Sequence, residues 1–170
     1  MSFEKQGQDA AARLLAVALD HRGAGQAALL ATAESLTGGM VGSLLCSVPG
    51  ASAVYRGGVI SYATEVKASV LGVDADLLAE RGAVDPDVAL AMAAGAARVC
   101  GADYGVATTG AAGPEPADGK PVGRVYLAVS GIRGQVVLEK NYRGSRAEIR
   151  AQAARDALIL LADVLEGKAC

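Results

Sequence analysis

A chain of 170 residues, 52% of them hydrophobic, buries enough apolar surface to fold without disulfides or a structural metal. A formal net charge of −2 excludes a surface built to coat nucleic acid, while leaving room for a local pocket that takes a small anion. Three widely spaced cysteines (Cys46, Cys100 and Cys170) with no CxxC pair point to a reducing cytoplasm, and the single histidine, His21, argues against a Ser-His-Asp triad and a His-based zinc site.

Residues 8–22 have helical periodicity in good helix formers, with Gly23 and Gly25 as the stop. His21 reads as a surface residue of that helix. The opening residues carry charges of both signs and do not read as a signal peptide, and no apolar run reaches the length of a membrane span. Residues 27–33 predict a short buried strand and residues 38–48 a helix ending before Pro49. Residues 52–63 predict a strand interrupted at Gly57 and Gly58. Two short helices follow, over 64–73 and 74–82, with Thr64 as N-cap of the first. Asp85 caps a longer helix that has Pro86 at its first position. Residues 104–109 predict the next strand, and "GAAGPEPADGKPVG" a loop. "RVYLAVSG" and "QVVLEKNY" predict a hairpin around Ile132, Arg133 and Gly134. Ser145 caps the last helix, with Glu148 at the capping-box position. Helices and strands alternate until the late hairpin, so the expectation is an α/β sandwich with a mixed sheet, one domain over residues 1–170.

Three constellations carry chemistry. The first is "TAESLTGG", residues 32–39, between an apolar strand and a helix. A helix start binds anions and stabilises oxyanions through its free N–H groups. Gly38 and Gly39 let a substrate approach the backbone. Ser35 is a candidate nucleophile, with Glu34 orienting it or binding substrate; equally, Ser35 or Thr37 is a plain helix cap. The second is "SYATEVK". With histidine excluded, a serine needs another base, and a lysine whose pKa is lowered by its surroundings serves. Tyr62 and Lys67 are the candidates, against a reading as an edge tyrosine and a solvated lysine. The third is "TTGAAGP" after the next strand, either a backbone cradle for a phosphate or carbonyl or an ordinary turn. "GPEPADGK" is no P-loop, because the spacing is wrong, Pro121 replaces the Ser/Thr and a strand follows. Arg143, Arg146 and Arg150 surround the last helix start, where they either clamp a phosphate or lie solvated.

Taken in order, "TAESLTGG", "VPGAS", "GGVISYATEVKASVLGV", "GAV", "TTGAAGP", "KPVGRVYLAV" and "GSRAEIRAQAARDAL" resemble the CinA C-terminal domain family, from about residue 8 to residue 165. The chain looks like a stand-alone, PncC-type member without the N-terminal domain of full-length relatives. The resemblance implies a three-layer α/β/α sandwich with a mixed, mostly parallel sheet. It also implies an amidohydrolase that converts nicotinamide mononucleotide to nicotinate mononucleotide and ammonia, a salvage step for pyridine nucleotides. By motif, Ser35, Tyr62 and Lys67 are the implied catalytic residues, with Tyr62 as a relay between lysine and serine. Backbone N–H groups around Gly38, Gly39 or Gly110 are expected to hold the oxyanion, and Thr37, Gly110 and Arg146 the phosphate. No metal or cofactor is expected. The partners expected are the small nucleotide substrate and a second copy in a homodimer, with no membrane and no direct nucleic acid. The loop departs from the family pattern at Ala111, Glu115, Pro116 and Ala117, and Thr64 replaces a frequent Asn. Two other functions stand beside the first: hydrolysis of a different nucleotide-like amide, and a non-catalytic nucleotide- or partner-binding module linked to competence or DNA damage.

Overall fold

The computed structural model describes residues 2–21 and 27–169, so Gly23, Gly25 and Cys170 lie outside the described residues. Helix α1 (Phe3–Asp20) starts earlier than its periodicity suggests, because Ser2 accepts a hydrogen bond from the Lys5 N–H and caps it. Strand β1 (Leu30–Glu34) leads into α2 (Met40–Cys46). A single 3-10 turn (Ala51–Ala53) precedes β2 (Tyr55–Ile60). Then come α3 (Thr64–Ser69), α4 (Ala75–Arg81), α5 (Pro86–Cys100) and β3 (Tyr104–Gly110). The hairpin β4 (Arg124–Gly131) and β5 (Gly134–Asn141) leads to α6 (Arg146–Leu165). Asp85 and Ser145 cap α5 and α6, the latter in a full capping box with Glu148. Thr64 does not cap α3. It is the first helical residue, and the cap position falls on Ala63, which offers no side-chain acceptor.

The sheet order is β2-β1-β3-β4-β5. β1 pairs in parallel with β2 and β3, whereas β3–β4 and β4–β5 are antiparallel. Four strands therefore share one direction, and β4 alone runs back. The glycine pair at 57 and 58 does not break β2. Leu30 pairs with Tyr55 and Ala31 with Gly57, so the strand passes Arg56 in a bulge at left-handed Gly57 (φ 141°).

Side-chain alternation sorts the sheet into two unlike faces. Leu30, Tyr104, Val106, Val125, Leu127 and Val129 face α1, α2 and α6. Ala31, Ala33, Ala107 and Ala128 face the layer that contains α4 and α5. The small residues let α5 lie close on the strands: a Cβ at Gly105 would sit 1.9 Å from the Ala93 carbonyl oxygen. This is the three-layer α/β/α sandwich with a mixed sheet. His21 is not the plain surface residue expected: its ring lies edge-on to buried Tyr104, with centroids 5.8 Å apart. Among the described residues no helix is long and apolar enough to cross a membrane.

Strand direction decides where chemistry collects. β1, β2 and β3 end side by side, and their exits carry Ser35, Ser61 and Ala111. β5 ends at the same edge and delivers the N-terminus of α6. Ligands of open α/β sheets gather outside the carboxyl ends of the strands.

Candidate active site

Ser35 sits in the turn between β1 and α2. Its N–H donates to the Thr108 carbonyl at 3.0 Å, and left-handed Gly38 and Gly39 (φ 58° and 96°) complete the reversal into α2. Three other side chains fix this turn. Glu34, 2% exposed, points its carboxylate into the start of α2. Oε2 accepts from the Thr37 hydroxyl at 2.7 Å, the Gly39 N–H at 2.9 Å and the Val41 N–H at 3.0 Å; Oε1 accepts from the Gly42 N–H at 2.8 Å. Thr37 is fully buried and shares a 2.8 Å hydrogen bond with Thr108. Arg150, from α6, donates to the carbonyls of Leu36 at 2.8 Å and Thr37 at 2.9 Å.

Lys67 approaches from α3, and its side chain is fully buried. Its Nζ lies 3.1 Å from Ser35 Oγ, 2.5 Å from the Ser61 carbonyl and 3.5 Å from that of Tyr62. Burial pushes the Lys67 ammonium down from 10.5 to about 8, with Asp118 and Glu65 pulling the other way. A buried lysine that titrates near neutrality, in hydrogen-bond contact with a serine hydroxyl, can act as a general base toward it.

Beside Ser35 opens a cavity of about 130 Å³ lined by Leu36, Tyr62, Gly110, Glu115, Ala117 and Arg146 among others. Arg146 spans its mouth, donating to the Gly113 carbonyl at 2.5 Å and to the Tyr62 hydroxyl at 3.0 Å. Glu115 adds a carboxylate to the same wall.

Of the residues expected at a site, Ser35, Lys67, Tyr62, Gly110 and Arg146 come together here. Four roles change. Glu34 is spent on the helix start, and Thr37 is buried beside it, so neither side chain is open to substrate. The Gly38 N–H donates to the Ser35 carbonyl and the Gly39 N–H to Glu34, which removes both as oxyanion donors. Among the described residues, the N–H groups of Leu36 and Thr37 have no protein acceptor, and Leu36 lines the cavity. The Tyr62 hydroxyl does not bridge Lys67 and Ser35: the residue is 61% exposed, its hydroxyl meets Arg146, and Lys67 reaches Ser35 directly. Arg150, a candidate either for clamping phosphate or for lying solvated, instead holds the turn that carries Ser35.

A model of the CinA C-terminal domain matches residues 13–165. A CinA-like protein from Frankia casuarinae is 51% identical over 142 residues, covering 84% of this chain and 33% of its own length. A putative competence-damage inducible protein from Bacillus velezensis is 41% identical over 139 residues, covering 82% of this chain and 33% of its own length. The chain thus spans about a third of the length of these curated relatives. Among solved structures, the competence/damage inducible protein CihA from Agrobacterium tumefaciens matches with a TM-score of 0.85 at 36% identity, covering 95% of this chain and 96% of that one. A CinA superfamily protein from Klebsiella pneumoniae matches with a TM-score of 0.85 at 31% identity, covering 98% and 99%. With a match over most of its length, the chain belongs to the CinA C-terminal domain family.

Proposed function

We propose that this protein hydrolyses the carboxamide of a pyridine nucleotide, nicotinamide mononucleotide, releasing ammonia. The observation that carries the reading is the Lys67–Ser35 contact of 3.1 Å, made by a buried lysine that titrates at about 8. Neutral Lys67 takes the Ser35 hydroxyl proton as Oγ attacks the amide carbon. The oxyanion forms against the backbone of the nucleophile turn, where among the described residues the N–H groups of Leu36 and Thr37 have no protein acceptor and Leu36 lines the cavity. Lys67 then gives its proton to the amide nitrogen; the C–N bond breaks, ammonia leaves, and an ester on Ser35 remains. Water, deprotonated by Lys67, cleaves that ester, giving the carboxylate and restoring the serine.

The cavity wall supports this substrate. It carries one carboxylate, Glu115, and one guanidinium, Arg146. An N-ribosyl pyridinium ring is positive and its phosphate negative, so a wall of both signs suits it. The space of about 130 Å³ is small and suits the ring and amide, with the ribose phosphate directed toward Arg146.

Ammonia release across a panel tests the reading. Nicotinamide mononucleotide should turn over faster than its riboside, and the riboside faster than nicotinamide. Saturable binding of the nucleotide with no ammonia from any member overturns the reading in favour of a binding module. Release from a different amide alone replaces the substrate.

A further inference from the structure

The loop between β3 and β4 forms one wall of the cavity through Ala111, Ala112, Gly113, Glu115 and Ala117, and its outer end is fastened in an unexpected place. The backbones of Ala117 and Lys120 bond to each other at 3.2 and 2.8 Å, closing a tight turn around Asp118 and Gly119. Asp118 is the one non-glycine residue with positive φ among the described residues, at 49°. Its Oδ2 accepts from the N–H groups of Ala83 at 2.7 Å and Val84 at 3.2 Å, in the turn between α4 and α5. The approach is close: a Cβ on Gly82, itself at φ 76°, would stand 2.6 Å from the Cβ of Asp118. From the β3 side, Thr109 donates its hydroxyl to the Ala83 carbonyl at 2.6 Å. The turn at 82–84 therefore grips the loop at its root and at its tip.

We propose that Asp118 is a positioning residue, which staples the cavity-lining loop to the turn at 82–84. The inference rests on the reading of Ser35 and Lys67 as the reacting pair. Lys67 Nζ meets the Ser35 hydroxyl and the carbonyls of Ser61 and Tyr62, and the charges that act on it are Asp118 from the loop and Glu65 on its own helix. Of the charges acting on it, Asp118 is the strongest and Glu65 the next. One carboxylate thus fixes the substrate wall and tunes the base behind it.

Two substitutions separate these effects. Asp118→Asn keeps a carbonyl acceptor for Ala83 and Val84 but removes the charge. Asp118→Ala removes both. Lys67 is titrated by NMR of its side chain, identified by loss of the signal in Lys67→Arg, and amide exchange is followed at Ala83 and Val84. In Asp118→Asn the Lys67 midpoint should fall, with protection retained. In Asp118→Ala the two amides should exchange at least about tenfold faster, and above about pH 8, where Lys67 is neutral, KM for the amide should rise with kcat little changed. An unmoved midpoint in Asp118→Asn, or unchanged exchange in Asp118→Ala, overturns the inference. Neither readout needs turnover, so a protein that titrates as expected but releases no ammonia refutes the proposed reaction and leaves the staple standing.

Discussion

Replacing Lys67 by Met should lower the rate of amide hydrolysis at least about 10³-fold while the protein stays folded, because the serine loses its base. The wild-type rate should follow the lysine. Below about 8, kcat/KM should rise roughly tenfold per pH unit as the neutral fraction grows, and it should level off above that value. A profile flat from about pH 6 to pH 9 contradicts the assignment. The same group predicts a stability signature with a definite sign. In the folded protein Lys67 titrates at about 8, and in the unfolded chain near 10.5. Between those values the unfolded chain holds one more proton, so stability rises with pH across the window. The penalty for charging the buried ammonium is present below about 8 and relieved as pH climbs through 10.5. Relative to Lys67→Met, the wild type should gain about 3 kcal/mol between about pH 7 and pH 11, read from urea midpoints of the two proteins. A constant difference would mean that Lys67 titrates normally.

Glu34→Ala should be the most destabilising single truncation at this site, costing about 4 kcal/mol in urea unfolding. It strips the acceptor from three backbone N–H groups and the Thr37 hydroxyl, most of them buried. Glu34→Gln should cost less than half as much. With its carbonyl in place of Oε2 it keeps three of the four bonds, and only the Gly42 N–H then faces an amide group that cannot accept. A loss below about 1 kcal/mol for Glu34→Ala would show that α2 starts correctly without the carboxylate.

Local chemistry made the meeting of Ser35 and Lys67 legible. A serine beside two glycines after an apolar strand, and a lysine six residues beyond Ser61, are short-range patterns. The lack of histidine left lysine as the base to consider. Capping residues were equally readable, as Asp85 and Ser145 show, because capping acts within one turn. What escaped was everything set by distant packing. Glu34 looks like a substrate ligand in sequence, since nothing there reveals that the helix reverses over it and brings four donors to its oxygens. Arg150 reads as a phosphate clamp or a solvated arginine until α6 is laid across the turn that carries Ser35. Tyr62 looks like a relay until β2 ends with the Ser61 carbonyl turned toward Lys67 and the tyrosine ring turned out. The two faces of the sheet were hidden for another reason. Ala and Val both read as apolar, yet only a run such as Ala31, Ala33 and Ala107 admits α5 at close range.

The most direct test of the Ser35–Lys67 account is ammonia release from nicotinamide mononucleotide by the wild type and by Ser35→Ala, with folding of both checked by circular dichroism. The account predicts release by the wild type and a loss of at least about 10⁴-fold in a folded Ser35→Ala. Equal release by the two proteins would contradict it and place the reacting group elsewhere in the cavity.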